Sequence, residues 1–145
     1  MKVEIPIQIT LVTPPAGVLY AVQKGKDERV SLQRSDGSDL TFNLSLTLAG
    51  QLDSEAPRFT GVFAQGPADE RFVYLNIGAS AGDHFSQWSR RAKIHLSGIT
   101  WELVELAQSK PGSVIHGLFA GTDKKGEPSC ASMRPIDGSW ELLSA

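Results

Sequence analysis

The chain has 145 residues, of which 41% are hydrophobic and 21% are charged. This size and composition are typical of one folded domain and exclude a disordered or fibrous chain. The formal net charge of -2 argues against a nucleic-acid partner, because sequence-independent phosphate binding needs an excess of basic residues. We therefore predict a single domain over residues 1–145 with no nucleic-acid partner.

The sequence also bears on the compartment. Residues 1–6 alternate charged with apolar side chains and lack the continuous apolar core of a signal peptide. No stretch approaches the roughly 18 apolar residues of a membrane helix. Cys130 is the single cysteine, so no intrachain disulfide can form. These features predict a cytoplasmic protein with no membrane partner.

The first half of the chain shows the period of two that is typical of strands with one buried face. The apolar residues Val3, Ile5, Ile7, Ile9 and Leu11 alternate with Lys2, Glu4, Gln8 and Thr10. The prolines and glycine of residues 13–17 then turn the chain. We predict a second strand over residues 18–23. A third follows over 40–48, where leucines and a phenylalanine alternate with threonine, asparagine and serine. This pattern favours antiparallel pairing.

Two further strands are predicted over residues 58–65 and 71–77, joined as a hairpin through residues 66–70. Residues 72–75 and 77 are apolar at successive positions, which predicts that this strand is central and covered on both faces. Residues 91–96 alternate basic with apolar side chains, which predicts a strand with a basic stripe on its solvent face.

One short helix is predicted near residues 98–108, capped by Ser97, because Ile99, Leu103, Leu106 and Ala107 recur at helical spacing. Residues 114–120 and 129–133 are predicted to form a final hairpin, and 140–142 a closing strand. The fold class is therefore mainly β, as an antiparallel sandwich or a small barrel of roughly eight strands.

Several sequence stretches resemble a bacterial family of small proteins that is catalogued as a domain of unknown function. The stretches are Gln65-Gly66-Pro67, Arg71–Asn76, Trp88–Ile94, Gly121-Thr122-Asp123 and Gly126–Ala131. The resemblance covers about residues 57–132 and extends to the first 50 residues only loosely. It implies kinship and brings no activity, cofactor or catalytic residue with it.

A basic cluster is the strongest candidate for a binding site. Trp88, Arg90, Arg91 and Lys93 lie close together in sequence, and the period of two sends Arg91 and Lys93 to the solvent face. Cations next to an aromatic ring can hold a carboxylate or phosphate through charge-assisted hydrogen bonds. The competing interpretation is a solvated edge face that blocks strand pairing. Arg90 falls on the core side and must find a partner or lie at the sheet rim.

The aromatic residues offer a second possibility. Tyr74 could line a pocket with Asn76 and with Trp88, Trp101 and Trp140. Aromatic residues at such positions also serve as ordinary core. The candidate ligand-binding set is therefore Tyr74, Asn76, Trp88, Arg90, Arg91 and Lys93.

Enzymatic and metal chemistry have weaker signals. Cys130 could act as a nucleophile if His84, His95 or His116 lies beside it in space, or it could be a small structural cysteine. The histidines lack the spacing of familiar metal sites, and no catalytic or dinucleotide motif occurs. We predict no metal and no cofactor.

The leading hypothesis for function is a non-catalytic binding module for a small anionic ligand or an acidic protein surface. The alternatives are a small hydrolase or transferase that uses Cys130 with a histidine, and a structural protein that associates with itself. The sequence leaves the oligomeric state open.

Overall fold

The computed structural model describes residues 2–23, 29–49, 58–59, 72–79, 90–96, 98–129 and 132–144. Its strands are β1 (Lys2–Val12), β2 (Val18–Gln23), β3 (Arg29–Arg34), β4 (Leu40–Ala49), β5 (Arg58–Phe59), β6 (Phe72–Ala79), β7 (Arg90–His95), β8 (Val114–Ala120), β9 (Ser132–Met133) and β10 (Glu141–Leu143). The helix α1 spans Trp101–Ser109. The described strands form two five-stranded sheets, ordered β10-β8-β1-β4-β5 and β3-β2-β6-β7-β9.

The first sheet is built around β1. This strand pairs antiparallel with β4, where Ile7 lies opposite Leu44, and parallel with β8, where Ile7 lies opposite Ile115. The alternation predicted from sequence is confirmed, because Ile5 and Ile9 are fully buried along with their partners on one face. The other face carries the polar side chains of the same strands.

The second sheet is built around β6, which lies between β2 and β7 and pairs antiparallel with both. The prediction of a central strand at this position is therefore confirmed. Asn76 lies opposite Ala21 on β2 and opposite Arg91 on β7. This register places the polar and basic residues of three strands side by side.

The two sheets enclose one core of buried apolar side chains, to which α1 contributes Trp101, Val104 and Ala107. Within the described ranges no strand belongs to both sheets, so the arrangement is the sandwich and not the barrel. The sheets are mixed, because β1 with β8 and β7 with β9 are parallel pairs. Neither pair is joined by a short loop, and only a tight hairpin forces neighbours to be antiparallel.

Two strand predictions in the first half need correction. The sequence analysis missed β3, a strand of six residues in which only Val30 and Leu32 are apolar and Leu32 is exposed. The predicted hairpin of residues 58–65 and 71–77 falls largely outside the described residues. In the part that is described, β5 pairs with β4 in the first sheet, whereas β6 belongs to the second.

The helix forms close to the predicted place but begins later and turns a different face to the core. Its N-cap is Thr100, whose hydroxyl accepts a hydrogen bond from the Leu103 backbone N–H at 3.2 Å. Leu106 is 42% exposed, and Ile99 is buried just before the helix starts. The helix itself was predicted correctly, but its start and its buried face were not. Serine and threonine can both cap a helix, so the sequence alone did not distinguish Ser97 from Thr100 as the N-cap.

The predicted final hairpin is wrong. β8 lies in the first sheet between β1 and β10, whereas β9 lies beside β7 in the second. The loop between them closes on itself through a bridge between Thr122 and Pro128, so the chain changes sheets after this turn. The predicted closing strand is confirmed as β10.

In the described part of the chain, no helix has the length and hydropathy that a membrane span requires.

Tyr20 makes the stability of the fold sensitive to alkaline pH. Its ring is 1% exposed, and its hydroxyl has no hydrogen-bond partner among the described residues. Burial disfavours the phenolate and raises the pKa of Tyr20 to about 12. The pKa in the unfolded chain is about 10, so the unfolded state releases this proton first.

We therefore expect the stability contribution of Tyr20 to be complete below about pH 10 and to fall as pH rises towards 12, by a total on the order of 2–3 kcal/mol. Urea denaturation between pH 8 and 11.5 of the wild type and of Tyr20→Phe measures it. The difference in unfolding free energy between the two proteins should grow with pH in favour of the phenylalanine variant. A constant difference would contradict the assignment.

Candidate functional site

The candidate site lies on the outer face of the second sheet. Val73 and Leu75 of β6 point into the core, so Phe72, Tyr74 and Asn76 point outward. On β7, Ala92 and Ile94 are fully buried, and Arg91 and Lys93, which alternate with them, are exposed. The prediction that Arg91 and Lys93 share the solvent face is confirmed.

A buried amide holds Arg91 in place. Arg91 Nε donates a hydrogen bond to Asn76 Oδ1 at 2.9 Å, and Asn76 Nδ2 donates to Gln23 Oε1 at 3.0 Å. Asn76 is 0% exposed and Gln23 is 6% exposed. Because a buried amide is costly without partners, this chain of hydrogen bonds fixes the orientation of all three side chains.

Aromatic rings support both cations. The guanidinium carbon of Arg91 lies 4.5 Å from the ring centroid of Tyr74, and Lys93 Nζ lies 4.6 Å from that of Phe72. The two rings contact each other edge to face with centroids 5.2 Å apart. Both distances are in the range of cation–π attraction. We call Phe72, Tyr74, Arg91 and Lys93 the basic-aromatic face.

The electrostatics of this face are one-sided. Among the described residues, no carboxylate lies within ion-pair distance of Arg91 or Lys93. The acidic side chains that the structure describes lie elsewhere, for example Glu102 on α1 and Glu141 on the first sheet.

The other predicted site residues do not all join this face. Arg90 begins β7 on the opposite side from Arg91, is exposed, and lies 3.9 Å from Glu127. It has the same parity as the core residues Ala92 and Ile94, but it stands at the start of the strand, where it is exposed and has a partner. Trp88 falls outside the described residues. Trp101 and Trp140 are buried in the core and do not line a pocket with Tyr74.

The sequence analysis missed Gln23, which completes the hydrogen-bond chain behind Arg91. The signal was a polar residue at the end of the otherwise apolar strand Val18–Gln23. Its partner Asn76 was predicted, but as a pocket residue and not as the support of an arginine.

The described residues do not test the hypothesis that Cys130 is a nucleophile paired with a histidine. Cys130 and His84 fall outside them. His95 lies on the outer face of the second sheet, with its ring centroid 6.3 Å from that of Phe72. His116 lies on the first sheet.

His116 takes part in a polar row across the first sheet. Its Nε2 lies 3.0 Å from Thr10 Oγ1, and Thr10 Oγ1 lies 3.1 Å from Thr41 Oγ1. On the other side, His116 Nδ1 lies 3.5 Å from Glu141 Oε1. The row joins β10, β8, β1 and β4, so it stabilises the order of these strands.

Within the described residues, no group of three or more histidine, cysteine, aspartate and glutamate side chains is arranged to hold a metal ion.

Comparison with curated proteins and with solved structures gave no match. The model of a family of unknown function, DUF5990, matches residues 5–143. This match covers both sheets, the helix and the basic-aromatic face. The chain therefore belongs to the DUF5990 family.

Proposed function

We propose that the chain is a non-catalytic binding module that holds a small anionic ligand on its basic-aromatic face. The observation that carries the proposal is the arrangement of Arg91, which is fixed by Asn76 and Tyr74 while its side chain stays exposed. An arginine that is already oriented loses less conformational entropy when a ligand binds.

The hydrogen bond between Arg91 and Asn76 does not use the terminal amino groups, which are the atoms that bind an anion. Only Nε is bonded to Asn76, so the terminal amino groups can donate to a carboxylate or phosphate in the bidentate manner. Lys93 is two positions along the same strand, and its Cα lies about 7 Å from that of Arg91. Both side chains lean in the same direction, so one oxyanion can accept hydrogen bonds from both.

A small ligand is favoured over a large acidic surface. The neighbouring part of the same sheet face is closed, because Leu19, Ala21 and Asn76 are all buried. Among the described residues of β6 and β7 on this face, Arg91 and Lys93 are exposed, and Phe72 and Tyr74 beside them are half-buried. This area suits a molecule with one or two charged groups.

Isothermal titration calorimetry at low ionic strength, where exposed charges are least screened, tests the proposal. We expect inorganic phosphate and citrate to bind the wild type saturably. Arg91→Gln should weaken binding by about tenfold or more, because a hydrogen bond to a charged group contributes about 1.5–3 kcal/mol. Lys93→Gln should weaken it by less, since an ammonium cannot bind bidentately.

Two further variants make the result specific. Lys110→Gln removes the same charge from an exposed residue at the end of α1, which packs against the first sheet, and controls for net charge. Arg90→Gln removes it from the adjacent position, where the side chain points towards Glu127, and should change affinity less than threefold. The proposal is wrong if neither anion binds, or if all four variants weaken binding equally.

A further inference from the structure

Two buried amides lie behind Arg91, and their chemistry dictates the direction of each hydrogen bond between them. Arg91 Nε can only donate, so Asn76 must present its carbonyl oxygen Oδ1, which lies at 2.9 Å. The Asn76 amino group Nδ2 then points the other way, and Gln23 must accept from it through Oε1, at 3.0 Å. We call Gln23 and Asn76 the amide relay, because the orientation of each group depends on the one behind it.

The amide relay is buried, whereas the arginine that it orients is exposed. Asn76 is 0% exposed and Gln23 is 6% exposed, but Arg91 is exposed on the same sheet face. Asn76 has no exposed surface through which it could touch a ligand. We therefore expect the effect of the relay on a ligand to pass through Arg91.

The acceptor next to Arg91 is an amide and not a carboxylate. Asparagine and aspartate have nearly the same shape, and either could accept a hydrogen bond from Arg91 Nε. An aspartate would also place a negative charge beside the guanidinium, where it would compete with an anionic ligand. The amide of Asn76 orients Arg91 without cancelling its charge.

Building on the proposed function, we infer that Gln23 and Asn76 are positioning residues of the anion site. They hold the guanidinium of Arg91 in the orientation that an anion binds, and the neutrality of Asn76 preserves the positive charge of the site. Because the relay acts through Nε of Arg91, its removal should weaken binding only when that atom is present.

A double-mutant cycle on phosphate affinity, measured by calorimetry, tests the positioning role. Gln23→Met keeps a long unbranched side chain but removes the acceptor for Asn76, so we expect it to weaken phosphate binding about three- to fivefold. Arg91→Lys keeps the charge and has a methylene in place of Nε. In that background, Gln23→Met should change the affinity by about 1.5-fold or less. Thr10→Val, the matched control, removes a hydrogen-bonded hydroxyl from a similarly buried position on the first sheet and should leave the affinity unchanged.

Asn76→Asp tests the requirement for a neutral acceptor, because it retains an oxygen for Arg91 Nε and adds a negative charge. We expect phosphate to bind about tenfold more weakly or worse. The dependence of the affinity on salt should also become shallower, since the site loses one net positive charge. Circular dichroism checks that the variant is folded.

The outcomes separate this inference from the proposed function. If Arg91→Gln weakens binding while Gln23→Met and Asn76→Asp bind phosphate as the wild type does, the positioning role is overturned and the anion site stands. If Gln23→Met weakens binding equally in the wild type and in the Arg91→Lys background, the relay does not act through Arg91 and the inference is wrong. If the wild type binds no phosphate, the proposed function fails and the inference fails with it.

Discussion

Replacing Gly121 by alanine is expected to lower the free energy of unfolding by about 3 kcal/mol or more. An added Cβ would lie 2.3 Å from the carbonyl oxygen of Val12 and 2.8 Å from backbone atoms of Pro14. Backbone atoms cannot rotate away as a side chain can. The end of β1 and the loop after β8 would therefore have to move apart. The hydrogen bond that the Gly121 N–H donates to Val12 O joins these two segments and opposes that movement.

Urea denaturation measures this effect, and Gly126→Ala is its matched control. Gly126 is in the same loop and has a positive φ of 79°, but an added Cβ there meets nothing within 4 Å. Gly126→Ala should lower the free energy of unfolding only by the backbone strain of a left-handed alanine, about 1–2 kcal/mol. The explanation by close approach fails if Gly121→Ala costs no more than Gly126→Ala.

The contacts of Gly121 and Asp123 explain why these residue types occur in the Gly121-Thr122-Asp123 stretch, which resembles the family. Asp123 Oδ1 accepts hydrogen bonds from the backbone N–H groups of Lys125 and Glu127, at 2.8 and 3.0 Å. These bonds organise the loop, and Glu127 lies next to Arg90 on β7. The stretch therefore builds the turn between the two sheets, and its residues are accounted for without a ligand.

Most of the longer strands were predictable because they carry their own period of two, although β3 was missed. β2 spans the predicted residues, and β4 ends one residue later than predicted. The pairing of strands was not predictable in the same way, because it depends on contacts between distant parts of the chain. β8 and β9 follow each other in sequence, so a hairpin was the simplest expectation, but they lie in different sheets.

The same distinction applies to the candidate site. The alternation of side chains along β7 is a local property, and it correctly predicted that Arg91 and Lys93 lie on one face. The contact between Arg91 and Asn76 depends on the register of β6 against β7, which no single strand specifies. Gln23 comes from a third strand, so the sequence showed the charges of the site and not what orients them.

Replacing Gly117 by alanine is expected to destabilise the fold by about 3 kcal/mol, the upper end of the usual cost of overpacking. Gly117 is on β8, and an added Cβ would lie 2.8 Å from Trp140 Cζ3 and 2.9 Å from Phe119 Cε2. The two rings contact each other edge to face with centroids 5.7 Å apart, and both are buried. Buried rings in a densely packed core yield little space, so a glycine inside this strand reflects the close approach of an indole.

A double-mutant cycle with Trp140→Phe identifies the ring responsible. The smaller ring removes the contact with the indole but leaves the contact with Phe119. The cost of Gly117→Ala should therefore fall to about half in the Trp140→Phe background, measured by urea denaturation with unchanged m-values. Strict additivity of the two substitutions would mean that Trp140 does not set the requirement for glycine. A non-additive result would show that Trp140, which precedes β10, fixes the packing of the last strand against β8.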